Sequence, residues 1–249
     1  MTETGNVRIY VMTHKQFQQQ LPNIYQVLHV GAKGKVDLGY LRDDIGDNIS
    51  NKNPNYCELT GLYWMWKNST ADVVGLCHYR RYFSSIPLDK KLKRILTEKD
   101  IEARLKNHDI IVSVPVFTKQ NQRDFYCANH YKHDYDLTRD TIARIHPEYI
   151  PDFDDYMNGH CGSLCNMFIC RKELADKYAA WLFQIYDEME SQVDLSTYDT
   201  YQARMYGFMS ERLMNVWVKH NRLRVSYAFF ASTEVNYVSA IKDMVKGLK

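Results

Sequence analysis

The sequence lacks any run approaching the roughly 18 apolar residues that a membrane-spanning helix needs. Its start, MTETGNVRIYVMTHKQF, also lacks the basic-then-apolar layout of a secretory signal, so the chain is expected to be cytoplasmic. Charge of one sign is missing too. Thirty-two Lys and Arg against thirty Asp and Glu leave +2, too little for a global field that recruits nucleic acid or a membrane surface, so any anion site must be local. Neither GxxxxGK[ST] nor GxGxxG occurs, which removes the fingerprints of P-loop kinases and Rossmann dehydrogenases. There is no GxSxG elbow, no internal repeat and no low-complexity segment. The spacing HCGSLC, His160 to Cys165, has no second ligand pair at zinc-finger distance. The six cysteines therefore read as free thiols rather than as zinc ligands or a disulfide framework.

What is present suits one α/β domain over residues 1–249. Strands are expected at VRIYVMT, Val7 to Thr13, at YQVLHVG after a Pro22 turn, at ADVVGLC, in DIIVSVPVF, from about Asn166 to Cys170, and at LRVSYAFF. Helices are expected at Tyr56 to Asn68, Asp136 to Ile145, after Cys170, and in RMYGFMSERLMNVWVKHN; a charged amphipathic stretch from Leu88 breaks near Thr97. That alternation implies a mostly parallel central sheet flanked by helices, with ligand sites at strand carboxyl ends. The polar segment Lys35 to Asn55 exceeds the roughly 12–15 residues of an ordinary connection, so it either contacts a ligand or is a solvated excursion. Nineteen tyrosines offer flat surfaces with a polar tip, natural partners of sugars and nucleobases.

Three motifs carry candidate chemistry. LCHYRRYF follows ADVVG and reads as a strand ending in His78, Arg80 and Arg81; guanidinium forks there suit a diphosphate, and a structural ion-pair cluster is the competing reading. DFDD, Asp152 to Asp155, contains a literal Asp-x-Asp but follows a proline rather than a strand, a weak signal for a divalent metal. GFMSERLMN places Glu211 and Arg212 near the start of a helix, where the acid is either a general base or a partner of the helix N-terminus.

Taken together, IYVMTHK, LGYLRDDIGDNISNKNPNYCELTGLYWMWKN, ADVVGLCHYRRYF, NMFICRKELADKYAAWLF and YGFMSERLMNVW resemble a bacterial family of capsular and exopolysaccharide biosynthesis proteins, long catalogued only as a domain of unknown function. The resemblance spans about Val7 to Phe230. It implies a GT-A-like fold and glycosyl transfer, with galactofuranose moved from a UDP-sugar to a lipid-linked or growing polysaccharide such as a capsule, an exopolysaccharide or an O-antigen. It sets Thr13 near the nucleotide, the loop with Asp44, Asn48 and Lys52 beside the donor, and His78 and Arg80, with Arg81, where other GT-A enzymes keep metal-binding acids. It makes Asp155, His160, Ser163 and Arg212 acceptor-side candidates and Glu211 the base of an inverting reaction. A cofactor is not required by this reading, and manganese or magnesium is the less favoured addition. Peripheral association with the inner membrane face or with other polysaccharide-assembly enzymes is compatible with it. The missing strand-end Asp-x-Asp leaves a second reading, a non-catalytic module that binds a nucleotide sugar or glycan.

Overall fold

The computed structural model describes residues 6–87, 89 and 91–233. Ten strands run in chain order: β1 (Val7–Thr13), β2 (Tyr25–His29), β3 (Leu41–Arg42), β4 (Val73–His78), β5 (Arg81–Ser84), β6 (Ile110–Ser113), β7 (Val116–Phe117), β8 (Cys161–Gly162), β9 (Phe168–Arg171) and β10 (Val225–Ser232). Eight α-helices accompany them: α1 (Asn53–Tyr56), α2 (Leu59–Asn68), α3 (Glu98–Leu105), α4 (Gln122–Asn129), α5 (Lys132–Ile145), α6 (Ile150–Asn158), α7 (Lys172–Glu190) and α8 (Met205–His220).

The α/β class holds, but the sheet is mixed rather than mostly parallel. Its order is β3-β2-β1-β4-β5-β10-β6-β9, and a further β4–β9 pairing closes five strands into a ring. β1 pairs in parallel with β2 and β4, β2 with β3, and β6 with β10. β4–β5, β5–β10, β4–β9 and β6–β9 are antiparallel. The physical reason lies in the connections. LCHYRRYF is a hairpin and not one strand: β4 turns over Tyr79 and Arg80 into β5, and a turn that short can only join antiparallel strands. Neither turn residue has positive φ, so the turn is not one of the primed types that keep strands in step. Accordingly only His78 and Arg81 pair before β5 leaves for β10, while β9 takes the rest of the β4 edge.

Period-two burial sorts the side chains into two cores. Tyr10 and Met12 of β1, Val74 and Leu76 of β4, Ile110 and Val112 of β6 and Phe168 of β9 face the helices α2, α5, α6, α7 and α8. Ile9, Val11, Cys77, Ile111 and Ile169 face the opposite side, against Ile101 and Leu105 of α3. Burial on both faces is why these strands read as unbroken apolar runs. Gly75 of β4 has no room for a side chain, since a Cβ would stand 2.7 Å from Ile169 and Ile9.

The stretch before Thr97 is not helical among its described residues; Leu88 and Lys90 lie outside them. Thr97 instead caps α3 through a reciprocal box with Asp100. Most of the tyrosines are buried, so they build the core rather than a sugar platform. Tyr56 stacks on Tyr206 at 4.4 Å, and the Tyr186 hydroxyl donates to the Tyr206 carbonyl at 2.8 Å. These contacts tie α1 to α7 and α8. All six cysteines are free, and among the described residues no helix is long and apolar enough to cross a membrane.

Candidate active site

A cleft of about 420 Å³ opens at the carboxyl ends of β1 and β4, where an open α/β sheet offers its ligand sites. Thr13 and His14 line it from β1, His78 to Arg81 from the hairpin, Asn53, Pro54, Cys57 and Glu58 from the α1–α2 corner, and Gly207, Phe208 and Glu211 from α8, with Arg204 just before that helix.

Chain geometry explains how each wall arises. The expected single helix from Tyr56 to Asn68 is broken at Cys57, whose φ of 53 and ψ of −127 lie in a region normally left to glycine. That kink starts α2 afresh and sets Glu58 at its first corner, facing the cleft. Helix α8 presses on the kink. A Cβ on Gly207 would stand 3.2 Å from both Cβ and Sγ of Cys57, and Arg204 Nε donates to the Cys57 sulfur at 3.1 Å. Burial pushes the Cys57 thiol up to about 11, so it is not a thiolate at neutral pH.

Electrostatically the cleft has two ends. Burial and the positive charges of Lys15, Arg80, Lys35 and Arg204 hold His14 below its ordinary value, which marks a cationic rim. Glu58 and Glu211 stand together at the other end, where Arg81 and, beside Glu58, Arg204 also reach them. Desolvation raises the Glu211 carboxyl, and the Glu58 charge raises it further against the pull of Arg212, His78 and Arg81. Desolvation likewise raises Glu58, tempered by Asn166, Arg204 and Arg81. Asn166 itself is buried, and its Nδ2 completes no hydrogen bond. The Glu211 side chain keeps 30% of its surface exposed, so it is accessible. It is the seventh residue of α8, beyond the first turn whose amides a carboxylate would cap; the structural role expected for a helix-start glutamate is therefore ruled out.

Of the residues singled out from the sequence, Thr13, His78, Arg80, Arg81 and Glu211 meet in this cleft. The Thr13 hydroxyl closes a local turn, donating to the Lys15 carbonyl at 2.6 Å. Burial pushes His78 down to about 4, and its Nε2–H donates to the Cys165 carbonyl at 2.7 Å; it is a neutral positioned group, not a cation for a phosphate. The Arg80 guanidinium lies 4.8 Å over the Tyr79 ring.

The other seven do not line the cleft. Asp44 is held by Arg42 at 2.7 Å, Asn48 donates to the Gly46 carbonyl at 2.7 Å, and Lys52 pairs with Glu190 at 2.7 Å. The long loop that carries them is ordered around Asp43, a fully buried carboxylate that accepts from the amides of Gly31 and Ala32 and the hydroxyls of Ser50 and Thr60. Arg212 turns into the protein, with Nη1 donating to the Phe208 carbonyl at 2.8 Å and approaching Glu211 at 3.3 Å. His160 contacts the Thr118 carbonyl. Ser163 donates to the Ser113 carbonyl and lines a second hollow beyond Asn215.

The DFDD run lies on α6, and side chains distant in the sequence already hold its carboxylates. Asp152 meets His220 at 2.9 Å, Asp154 takes Arg139 in a fork at 2.6 and 2.7 Å, and Asp155 pairs with Lys219. A divalent cation of the kind GT-A enzymes carry does not fit the end of β4 either, where His78 and two arginines stand in place of carboxylates. Among the described residues no group of three or more His, Cys, Asp or Glu is arranged to hold a metal.

Sequence reasoning missed Cys57, Glu58, Arg204 and Phe208 as cleft residues. The strong apolar spacing around YCELTGLYW hid the corner, since no Gly or Asn marks position 57.

Fold and cleft together define a mixed-sheet α/β domain with an accessible acid pair facing a basic rim at its strand ends. Residues 8–222 match the family described as a domain of unknown function, DUF4422, and the chain belongs to it. The apo structure of the bifunctional glycosyltransferase WbbM is similar, with a TM-score of 0.84 and 30% identity over 92% of this chain and 45% of that one. The chain thus spans about half the length of that enzyme. No curated protein matches.

Proposed function

We propose that this chain is an inverting glycosyltransferase acting as a single GT-A-like unit. It moves a hexose, galactofuranose in the narrowest form of the reading, from a UDP-sugar to a lipid-linked or growing polysaccharide. The observation that carries the reading is the cleft's composition: an accessible carboxylate with raised proton affinity shares it with arginines at the strand ends. Likeness to WbbM supports the reaction class, and the sequence resemblance supports the donor.

The geometry supplies both tasks of such a transfer. As the anomeric carbon leaves the diphosphate, negative charge grows on the leaving group, and Arg80, with Arg204 on the same rim, stabilises it from fixed positions. The acceptor hydroxyl must lose its proton, and Glu211 takes it. Burial raises the acid's pKa, which strengthens its ionised form as a base.

The test is a panel of UDP-sugars read by thermal shift, because a ligand of the folded state raises its stability by mass action. UDP release is then followed with a galactose-terminated acceptor in EDTA. A shift with at least one UDP-sugar and acceptor-dependent UDP release in EDTA are expected. A shift without turnover would make the chain a nucleotide-sugar-binding module; loss of turnover in EDTA, restored by manganese, would show that a carboxylate set holds a metal after all.

A further inference from the structure

Glu58 is not needed by the transfer chemistry above, yet the fold goes to some length to place it. The corner that turns it into the cleft has a backbone conformation that costs on the order of 1–3 kcal/mol for a residue other than glycine. It packs against Gly207 of α8 and is bonded by Arg204, the residue before that helix. Its carboxylate is half-buried and has little protein to bond. The contacts that favour its charged form are its own backbone amide, the neighbouring Asn166 and the more distant arginines 204 and 81, and the Asn166 Nδ2, 1% exposed as a residue, closes no full hydrogen bond. A carboxylate offers about four acceptor positions, and leaving them empty in a desolvated site is costly. A group that displaces water from Glu58 must therefore bring hydrogen-bond donors.

A diphosphate suits that place less well than the other end, because its charge is repelled by Glu58 and by Glu211 beside it, while Lys15, Lys35 and Arg80 around His14 attract it. Sugar hydroxyls are donors without charge, and adjacent hydroxyls of one ring match the two oxygens of a carboxylate. We infer that Glu58 reads the donor sugar: its carboxylate accepts hydrogen bonds from the sugar hydroxyls of the bound nucleotide sugar, fixing the sugar at the acid end of the cleft and the diphosphate at the arginine end. Asn166 lies beside the same hydroxyls, and the Cys57 corner is the positioning device. This inference rests on the glycosyltransferase reading of the cleft.

The experiment compares wild type, Glu58→Ala and Glu58→Gln by calorimetric titration with UDP and with UDP-glucose, UDP-galactopyranose, UDP-galactofuranose and UDP-N-acetylglucosamine. Hydrogen bonds to a charged group are strong enough that Glu58→Ala should weaken the accepted UDP-sugar roughly ten- to hundredfold. UDP affinity should stay within about twofold, because UDP carries no sugar at that end. Glu58→Gln keeps one acceptor oxygen and the side chain's shape, so it should show the same selective loss at a smaller size; it also stands in should the alanine variant fail to fold. Equal weakening of UDP and UDP-sugar, or no change in either, overturns the inference while leaving the transferase reading intact. Wild type that binds none of the UDP-sugars overturns both.

Discussion

Replacing Glu211 by glutamine should do two opposite things at once, and both follow from one partly desolvated acid. Gln keeps the size and the contact with Arg212 Nη1 but removes the basic oxygen. General-base transfer contributes about 10²- to 10⁴-fold, so acceptor-dependent turnover should fall by that factor, equivalent to about 3–5 kcal/mol at 1.36 kcal/mol per tenfold. UDP affinity should not change, because Glu211 stands at the acid end of the cleft. Stability should rise. The Glu211 carboxyl is raised from its ordinary value of 4.5, with desolvation outweighing the attraction of Arg212, His78 and Arg81. An acid raised in this way holds its proton more tightly folded than unfolded. The fold therefore loses stability as pH climbs from the unfolded value through the folded one. Gln removes that cost, and each 1 kcal/mol relieved should lift the melting temperature of a chain this size by about 2–4 °C. Arg212 retains the Phe208 carbonyl at 2.8 Å and, in Gln, an acceptor oxygen in place of the carboxylate. The assay pairs initial rates at saturating donor with melting curves at several pH values. The variant's advantage should shrink toward acid pH, and the wild-type rate should decline on the acid side at a pH above the ordinary glutamate value. A variant that loses activity and stability together at neutral pH would show that Glu211 holds the fold, and normal turnover would remove it from the chemistry.

Arg80→Ala should weaken UDP binding roughly ten- to hundredfold, the worth of charge-assisted hydrogen bonds to a phosphate; unaltered UDP affinity in a folded variant would displace the diphosphate from the hairpin. Asp43→Ala strips the acceptor from two backbone amides and two hydroxyls at a fully buried position. It should destabilise by about 3 kcal/mol or more, a fall in melting temperature of roughly 6–12 °C; a loss below about 1 kcal/mol would mean that the loop is not organised around this carboxylate.

Local pattern made much of this protein readable. VRIYVMT, ADVVGLC and DIIVSV are apolar on both faces and could only be buried strands; RMYGFMSERLMNVW repeats its apolar residues at helical spacing and is α8. The basic hairpin and Glu211 stood out because few residue types suit an anion or a proton transfer. Strand direction was not readable, since a run of valines and isoleucines has the same pattern either way round. The turn at Tyr79 and Arg80, without Gly, Asn or Pro to announce it, made two strands look like one. The corner at Cys57 stayed hidden for the same reason: its backbone conformation is imposed by Gly207 of a helix distant in the sequence and by Arg204 just before that helix, not by the cysteine itself.

The acids show the division most plainly. Asp152, Asp154, Asp155, Glu58 and Glu211 are equally acidic in a sequence, and composition supplied only their positions. Tertiary packing gave His220, Arg139 and Lys219 to the first three and set the last two in one cleft, Glu211 with a single 3.3 Å contact to Arg212. The sequence by itself determined which segments must be buried and which side chains carry charge, because those depend on residue type and local period. Which charges are neutralised and which stay available was decided only when the chain closed, because an ion pair depends on a distance that no local pattern contains.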